Sequence, residues 1–231
     1  MRPPGPLLAA GRDADVYEYG DGAVLRRSRQ GRSLLIEARI LEFLHAHGYP
    51  VPKVLEVSDD GADLVMERIQ GPTMVDAIGH RPWTLRRSAR ELADLHVRLH
   101  ELDAPTYLAA APVGSGARLL HMDLHPLNVM MGPTGPVVID WTGARAGDPY
   151  VDVAMAWVLM AAGEVPSSGL KAAFVNWGRG RLVSRFLEGF DRTALVERLR
   201  DVVEHKSKDP HMSSKEVAAM WDLVAREEAG R

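Results

Sequence analysis

Two short stretches carry the groups that could do chemistry: His121-Met122-Asp123-Leu124-His125-Pro126-Leu127-Asn128, and the apolar run Val137-Val138-Ile139 that ends in the carboxylate of Asp140. An ionised Asp123 can take a proton from a hydroxyl while holding that hydroxyl in line with a phosphate. Asn128 offers a neutral oxygen and Asp140 a charged one, a pair suited to magnesium, which prefers oxygen ligands and keeps several waters. A base, an amide and a second carboxylate are the polar groups that phosphoryl transfer from a nucleotide needs. Each alone has a plainer reading, since an Asp or Asn beside a turn usually bonds its own backbone. Their combined spacing points to catalysis.

The elements around these residues must expose them. A central strand cannot continue through Pro126, so the chain leaves a strand near His121 and presents Asp123 and Asn128 on a loop. Short strands at about 119–120, 129–131 and 137–139 bracket that loop, with a turn at Gly132 to Gly135. Upstream, Leu7-Leu8, Val16 to Tyr19 and Ala23 to Arg27 read as strands, the last two joined by Gly20-Asp21-Gly22 as a hairpin with Val24 and Arg26 on one face. Ser33 is positioned to cap a helix whose apolar positions are Leu34, Ile36, Ile40, Leu41 and Leu44, with Glu37 in its second turn. Strands at 54–57 and 64–67 follow, and Gly71-Pro72 closes this part. A long amphipathic helix spans about 84–102, and helices near 149–162, 168–189, 191–205 and 213–229 complete the chain. The expectation is an α+β fold: a small antiparallel sheet with one helix over residues 1–69, and a larger, mainly helical part over 70–231.

The 231 residues suffice for one large domain or two small ones, and a net charge of -3 gives no pull toward nucleic acid or an anionic membrane. There are no cysteines, which removes disulfides and thiolate chemistry. No apolar run reaches the roughly 20 residues of a membrane span and the start lacks a signal-peptide core, so a cytoplasmic protein without membrane contact is expected.

The loop resembles the HxDxxxxN catalytic loop of the aminoglycoside phosphotransferase and choline kinase-like superfamily. Val138-Ile139-Asp140-Trp141 is similar to its metal-binding segment, and Gly147-Asp148-Pro149-Tyr150-Val151-Asp152 to the run that follows. The resemblance implies a two-lobed, protein-kinase-like fold with ATP or GTP and Mg2+ between the lobes, Asp123 as base, and Asn128 and Asp140 as metal ligands. It places Arg26 where the family has a phosphate-gripping lysine, with Glu37 as its helix partner. Gly11, Asp13 and Ala14 fall in the loop over the phosphates, and the backbone of Glu67, Arg68 and Ile69 in the hinge that meets the nucleotide base. Asp148 reads as a helix cap and Asp152 as a buttress of the catalytic loop. Met122 and Leu127 stand where the family commonly has glycine. Only Trp141 to Gly147 separate Asp140 from Asp148, too little chain for a protein-kinase activation segment, so the expected acceptor is a small-molecule hydroxyl.

Two rivals stand beside this reading. His121, Asp123 and His125 at alternate positions could ligate zinc in a metal-dependent hydrolase, although Pro126 interrupts the strand. His96 and His100 share a helix face and read as packing or surface residues. The other rival is a nucleotide-binding pseudokinase acting as an interaction module, opposed by the intact base and metal ligands.

Overall fold

The computed structural model describes residues 1–11, 14–29, 31–163 and 169–230. In chain order the elements are β1 (Leu7–Ala10), β2 (Ala14–Glu18), β3 (Ala23–Ser28), α1 (Leu35–Ala46), β4 (Val54–Val57), β5 (Asp63–Glu67), α2 (Met74–His80), α3 (Leu85–His100) and β6 (Arg118–Leu120). Then come β7 (Val129–Gly132), β8 (Gly135–Val138), β9 (Arg145–Gly147), α4 (Pro149–Ala162), α5 (Gly169–Leu187), α6 (Arg192–Lys206) and α7 (Ser214–Ala229). They form two compact units, Met1–Thr73 with Asn128–Thr142, and Met74–Leu127 with Gly143–Arg231.

The first unit is built on an antiparallel sheet of order β1-β2-β3-β5-β4. Its β2–β3 hairpin turns through Gly20 and Gly22, both at positive φ (64° and 73°), a conformation that costs glycine nothing. The register Val16↔Arg26 and Leu25↔Val65 sends Leu25 and Val65 into a cluster with Tyr19 and Ala23, and the alternation of β3 turns Val24 and Arg26 to the opposite face. Helix α1 buries Leu34, Ala38, Ile40, Leu41 and Leu44. Ile36, expected on that stripe, faces solvent, because the buried arc is carried by positions 37, 38, 40, 41 and 44. Ser33 stands one residue outside the cap position, its Oγ accepting the Leu35 N–H at 3.3 Å, and Leu34 precedes the helix without a side-chain cap. The β7–β8 hairpin belongs to this unit: Met131 N–H donates to Pro72 O at 2.8 Å and Val138 N–H to Pro50 O at 2.8 Å. Gly71 lies so close to the Met131 carbonyl that a Cβ there would collide with it.

The second unit is organised around α4, which is apolar on all sides and buried at almost every position from Val151 to Ala162. Asp148 caps it, accepting the Tyr150 N–H at 3.0 Å, with Pro149 at the first helical position. Helices α5, α6 and α7 pack against it, and α3 lies on α5 with Leu92, Leu95 and Leu99 buried. Two elements lie outside the sequence expectation, α2 and β9. The latter is a three-residue strand, Arg-Ala-Gly, set by its antiparallel pairing with β6 and by hydrogen bonds of Ala146 to residues 109 and 111.

Candidate functional site

In the first unit the charged residues gather around Arg26. Its Nη2 lies 2.9 Å from Asp140 Oδ1 and its Nε 3.4 Å from Glu37 Oε2. Glu37 sits inside, 5% exposed, because the turn of α1 that buries Ala38 and Leu41 also carries it inward. Burial pushes the Glu37 carboxyl up to about 7, the charge of Asp140 adds to the rise, and Arg26 and the Trp141 N–H work against it. Asp140 follows the end of β8 with φ 64°, a left-handed conformation that turns the chain into Trp141 and leaves the carboxylate partly open to solvent. Thr142 Oγ1 donates to the same Oδ1 at 2.9 Å. Asn128 is drawn alongside by the hairpin register, its carbonyl accepting the Ile139 N–H at 3.0 Å.

Arg26, Glu37 and Asp140 border a cavity of about 820 Å³ within this unit, lined also by Val16, Val24, Leu41, Met66, Ile139 and the segment Glu67 to Gly71. It has apolar walls with a charged end, the composition of a small-molecule site. In the Glu67–Ile69 segment, the N–H groups of Glu67 and Arg68 donate to Lys53 O and Gly22 O, both at 2.9 Å, and the Arg68 side chain pairs with Glu18. The Gly11 N–H donates to Ala14 O at 3.0 Å. Asp13 lies outside the described residues.

The oxygen donors suit a magnesium ion that keeps its waters: Asp140 is ionisable and partly open, Asn128 is beside it in the ladder, and a guanidinium now supplies the positive charge at Asp140 Oδ1. Among the described residues no group of three His, Asp or Glu side chains could hold a metal by itself.

In the second unit Asp152 organises the loop after β6. This carboxylate is 1% exposed and accepts three N–H groups: from His121 at 3.0 Å, Met122 at 2.6 Å and His100 Nε2 at 3.0 Å. Burial would raise its pKa, but the hydrogen bond and charge of His100, with His96 and the His121 N–H, hold it well below the usual carboxylate range. Met122 is pinned at φ 66°, a left-handed conformation that suits glycine and strains a residue with a side chain. His121 is fully buried and its Nδ1 accepts the Asp123 N–H at 3.2 Å. Asp123 itself is partly exposed, with His125 Nε2 3.5 Å from Oδ1. Burial would lift its carboxyl; the His125 hydrogen bond and the charges of His125, His121 and Lys206 outweigh that and hold it below the ordinary value.

A sequence profile of the "Phosphotransferase enzyme family" matches residues 5–112 and 106–187. The chain belongs to that family. A probable serine/threonine-protein kinase BUD32 homolog of Archaeoglobus fulgidus is 27% identical over 184 residues, 78% of each chain. Among solved structures, the ADP-bound aminoglycoside phosphotransferase APH(2'')-Ib superposes with a TM-score of 0.62 at 14% identity, covering 96% of this chain and 93% of its own. Amicoumacin kinase hAmiN, in complex with AMP-PNP, Ca2+ and Ami, gives 0.54 at 18% identity, with 97% and 88% covered. The protein is a phosphotransferase of the kinase kind with the kinase-like fold of these neighbours.

Within this family framework, the structure brings Arg26, Glu37 and Asp140 together in the first unit, puts residues 67–69 on the same cavity, and ties the Asn128 backbone to Ile139, the residue before Asp140. Of the two readings for His96 and His100, packing is the one the structure shows: His96 is fully buried, the His100 side chain is 8% exposed, and His100 is a direct partner of Asp152. Nothing in the sequence pairs positions 100 and 152, which meet because α3 and α4 both pack on β6. Thr142 was also missed as a donor to Asp140, although its place two residues downstream was a usable cue. No helix among the described residues is long and apolar enough to cross a membrane.

Proposed function

We propose that this phosphotransferase moves the terminal phosphate of ATP or GTP to a hydroxyl of a small molecule, with Asp123 as base and Mg2+ held by Asn128 and Asp140. The observation that carries this reading is the Arg26–Glu37–Asp140 cluster at the charged end of the 820 Å³ cavity. Arg26 steadies the nucleotide phosphates, kept in place by Glu37, and its planar fork can serve a phosphate and a carboxylate together, which a lysine ammonium does less well. The backbone at the end of β5 meets the base through the Glu67 carbonyl and Ile69, since the Glu67 and Arg68 N–H groups are bonded to Lys53 O and Gly22 O. Gly11 and Ala14, with little or no side chain, leave their backbone open to approach by anionic oxygens. The bound metal supplies charge neutralisation at the phosphates.

The acceptor hydroxyl gives its proton to a carboxylate oxygen of Asp123 as its oxygen bonds to the terminal phosphorus. The bond from that phosphorus to the bridging oxygen breaks, and the nucleoside diphosphate leaves. The low pKa of Asp123 suits a group that first orients the hydroxyl and takes the proton late. A protein hydroxyl is the rival acceptor, on the strength of the archaeal relative's name. The short run from Trp141 to Gly147 favours the small molecule. Mass spectrometry of an alcohol library and of a protein mixture incubated with Mg-ATP separates the two. Asp123→Ala is expected to lower turnover by about 10²-fold or more with nucleotide affinity little changed; unaltered turnover would rule the base out.

A further inference from the structure

The loop uses one backbone device twice. His121 Nδ1 accepts the N–H of Asp123 two residues on, and His125 Nδ1 accepts the N–H of Leu127 two residues on, at 3.2 and 3.3 Å. A neutral imidazole that accepts at one nitrogen carries its proton on the other, so each ring is a donor at Nε2. The environments then part. His121 is fully buried beneath the loop, whereas His125 is partly exposed and its Nε2 lies 3.5 Å from Asp123 Oδ1. Pro126, buried at the start of a single 3₁₀ turn, curls the chain so that the Leu127 N–H comes back onto the ring.

We propose that His125 is a positioning residue for Asp123: its Nε2–H, aimed by the Leu127 backbone N–H, sets the rotation of the Asp123 carboxylate. The inference rests on Asp123 being the base and adds what orients it. A carboxylate on a loop rotates about its terminal torsion with little cost, and a base swung out of line loses much of its effect. A donor bound to one oxygen removes that freedom. Leu127, whose side chain is exposed, contributes through its N–H.

The first test needs no substrate. Nitrogen-15 spectra of the histidine rings should show His125 protonated at Nε2 and bare at Nδ1, and Asp123→Ala should move the Nε2 resonance; a proton on Nδ1, or an Nε2 signal indifferent to that substitution, overturns the proposal. The second reads ADP formation from saturating Mg-ATP with water as acceptor. His125→Ala should slow it on the order of tenfold with the KM for ATP unchanged. His125→Gln, whose amide N–H reaches about as far as Nε2, should recover most of the loss. A wild-type rate in His125→Ala, or equal losses in the Ala and Gln variants, overturns it. Asp123→Asn run in parallel separates the two claims. If it is inactive while His125→Ala is normal, only the positioning role fails; if it keeps full turnover, the base assignment fails and takes this inference with it.

Discussion

The two units hold their carboxylates in opposite ways. Asp152 is buried and accepts three N–H groups, a closed arrangement that fixes the backbone of His121 and Met122. Asp140 is partly open, and its partners are the side chains of Arg26 and Thr142, which can rearrange. A buried carboxylate with several backbone donors behaves as a scaffold. One that is half-open and held by side chains rather than by backbone donors can exchange a partner for a metal ion at smaller cost. The difference separates what holds the loop in shape from what is expected to bind.

The sharpest way to break this comparison is to delete each carboxylate. Asp152→Ala strands two backbone N–H groups and a histidine in the core and should cost about 3–5 kcal/mol, whereas Asp140→Ala should cost less than about 1 kcal/mol. Urea denaturation of the two variants checks the ranking, and similar losses would erase the distinction. The second effect is opposite sensitivity to pH. Burial drives His96 down to about 4 from 6.5, so between those values the unfolded chain binds a proton that the folded chain refuses, and stability falls as pH drops through that window. Glu37, raised from 4.5 to about 7, holds a proton when folded that the unfolded chain has released, so its contribution is complete below pH 4.5 and lost as pH rises through 7. Melting curves from pH 4 to 8 should therefore show a maximum, and Glu37→Gln should flatten the high-pH side alone. The smallest expected change is Met122→Gly, which relieves the left-handed strain and gives back part of the gain as chain entropy, for a net effect within about 1 kcal/mol.

Much of this was legible because local signals agreed with tertiary ones. The Gly20-Asp21-Gly22 turn set a hairpin, its register put Val24 and Arg26 on one face, and that face lines the cavity. Asp148-Pro149 marked the start of α4, and Asp152 lies one turn in, where it meets the loop. What stayed hidden depends on packing between distant segments. His100 becomes the partner of Asp152 only once α3 and α4 both pack on β6, and β9 exists only as the complement of β6 on one side and of residues 109–111 on the other. Ile36 misled because it has the right type and nearly the right spacing, but the buried arc of α1 is narrower than its apolar content and admits Glu37 in its place.

The most direct test is calorimetric titration of ATP into wild type and Asp140→Ala, with and without Mg2+. The account predicts tight binding in wild type that depends on Mg2+, and loss of that dependence in the variant. Normal Mg2+-dependent binding by Asp140→Ala would contradict it.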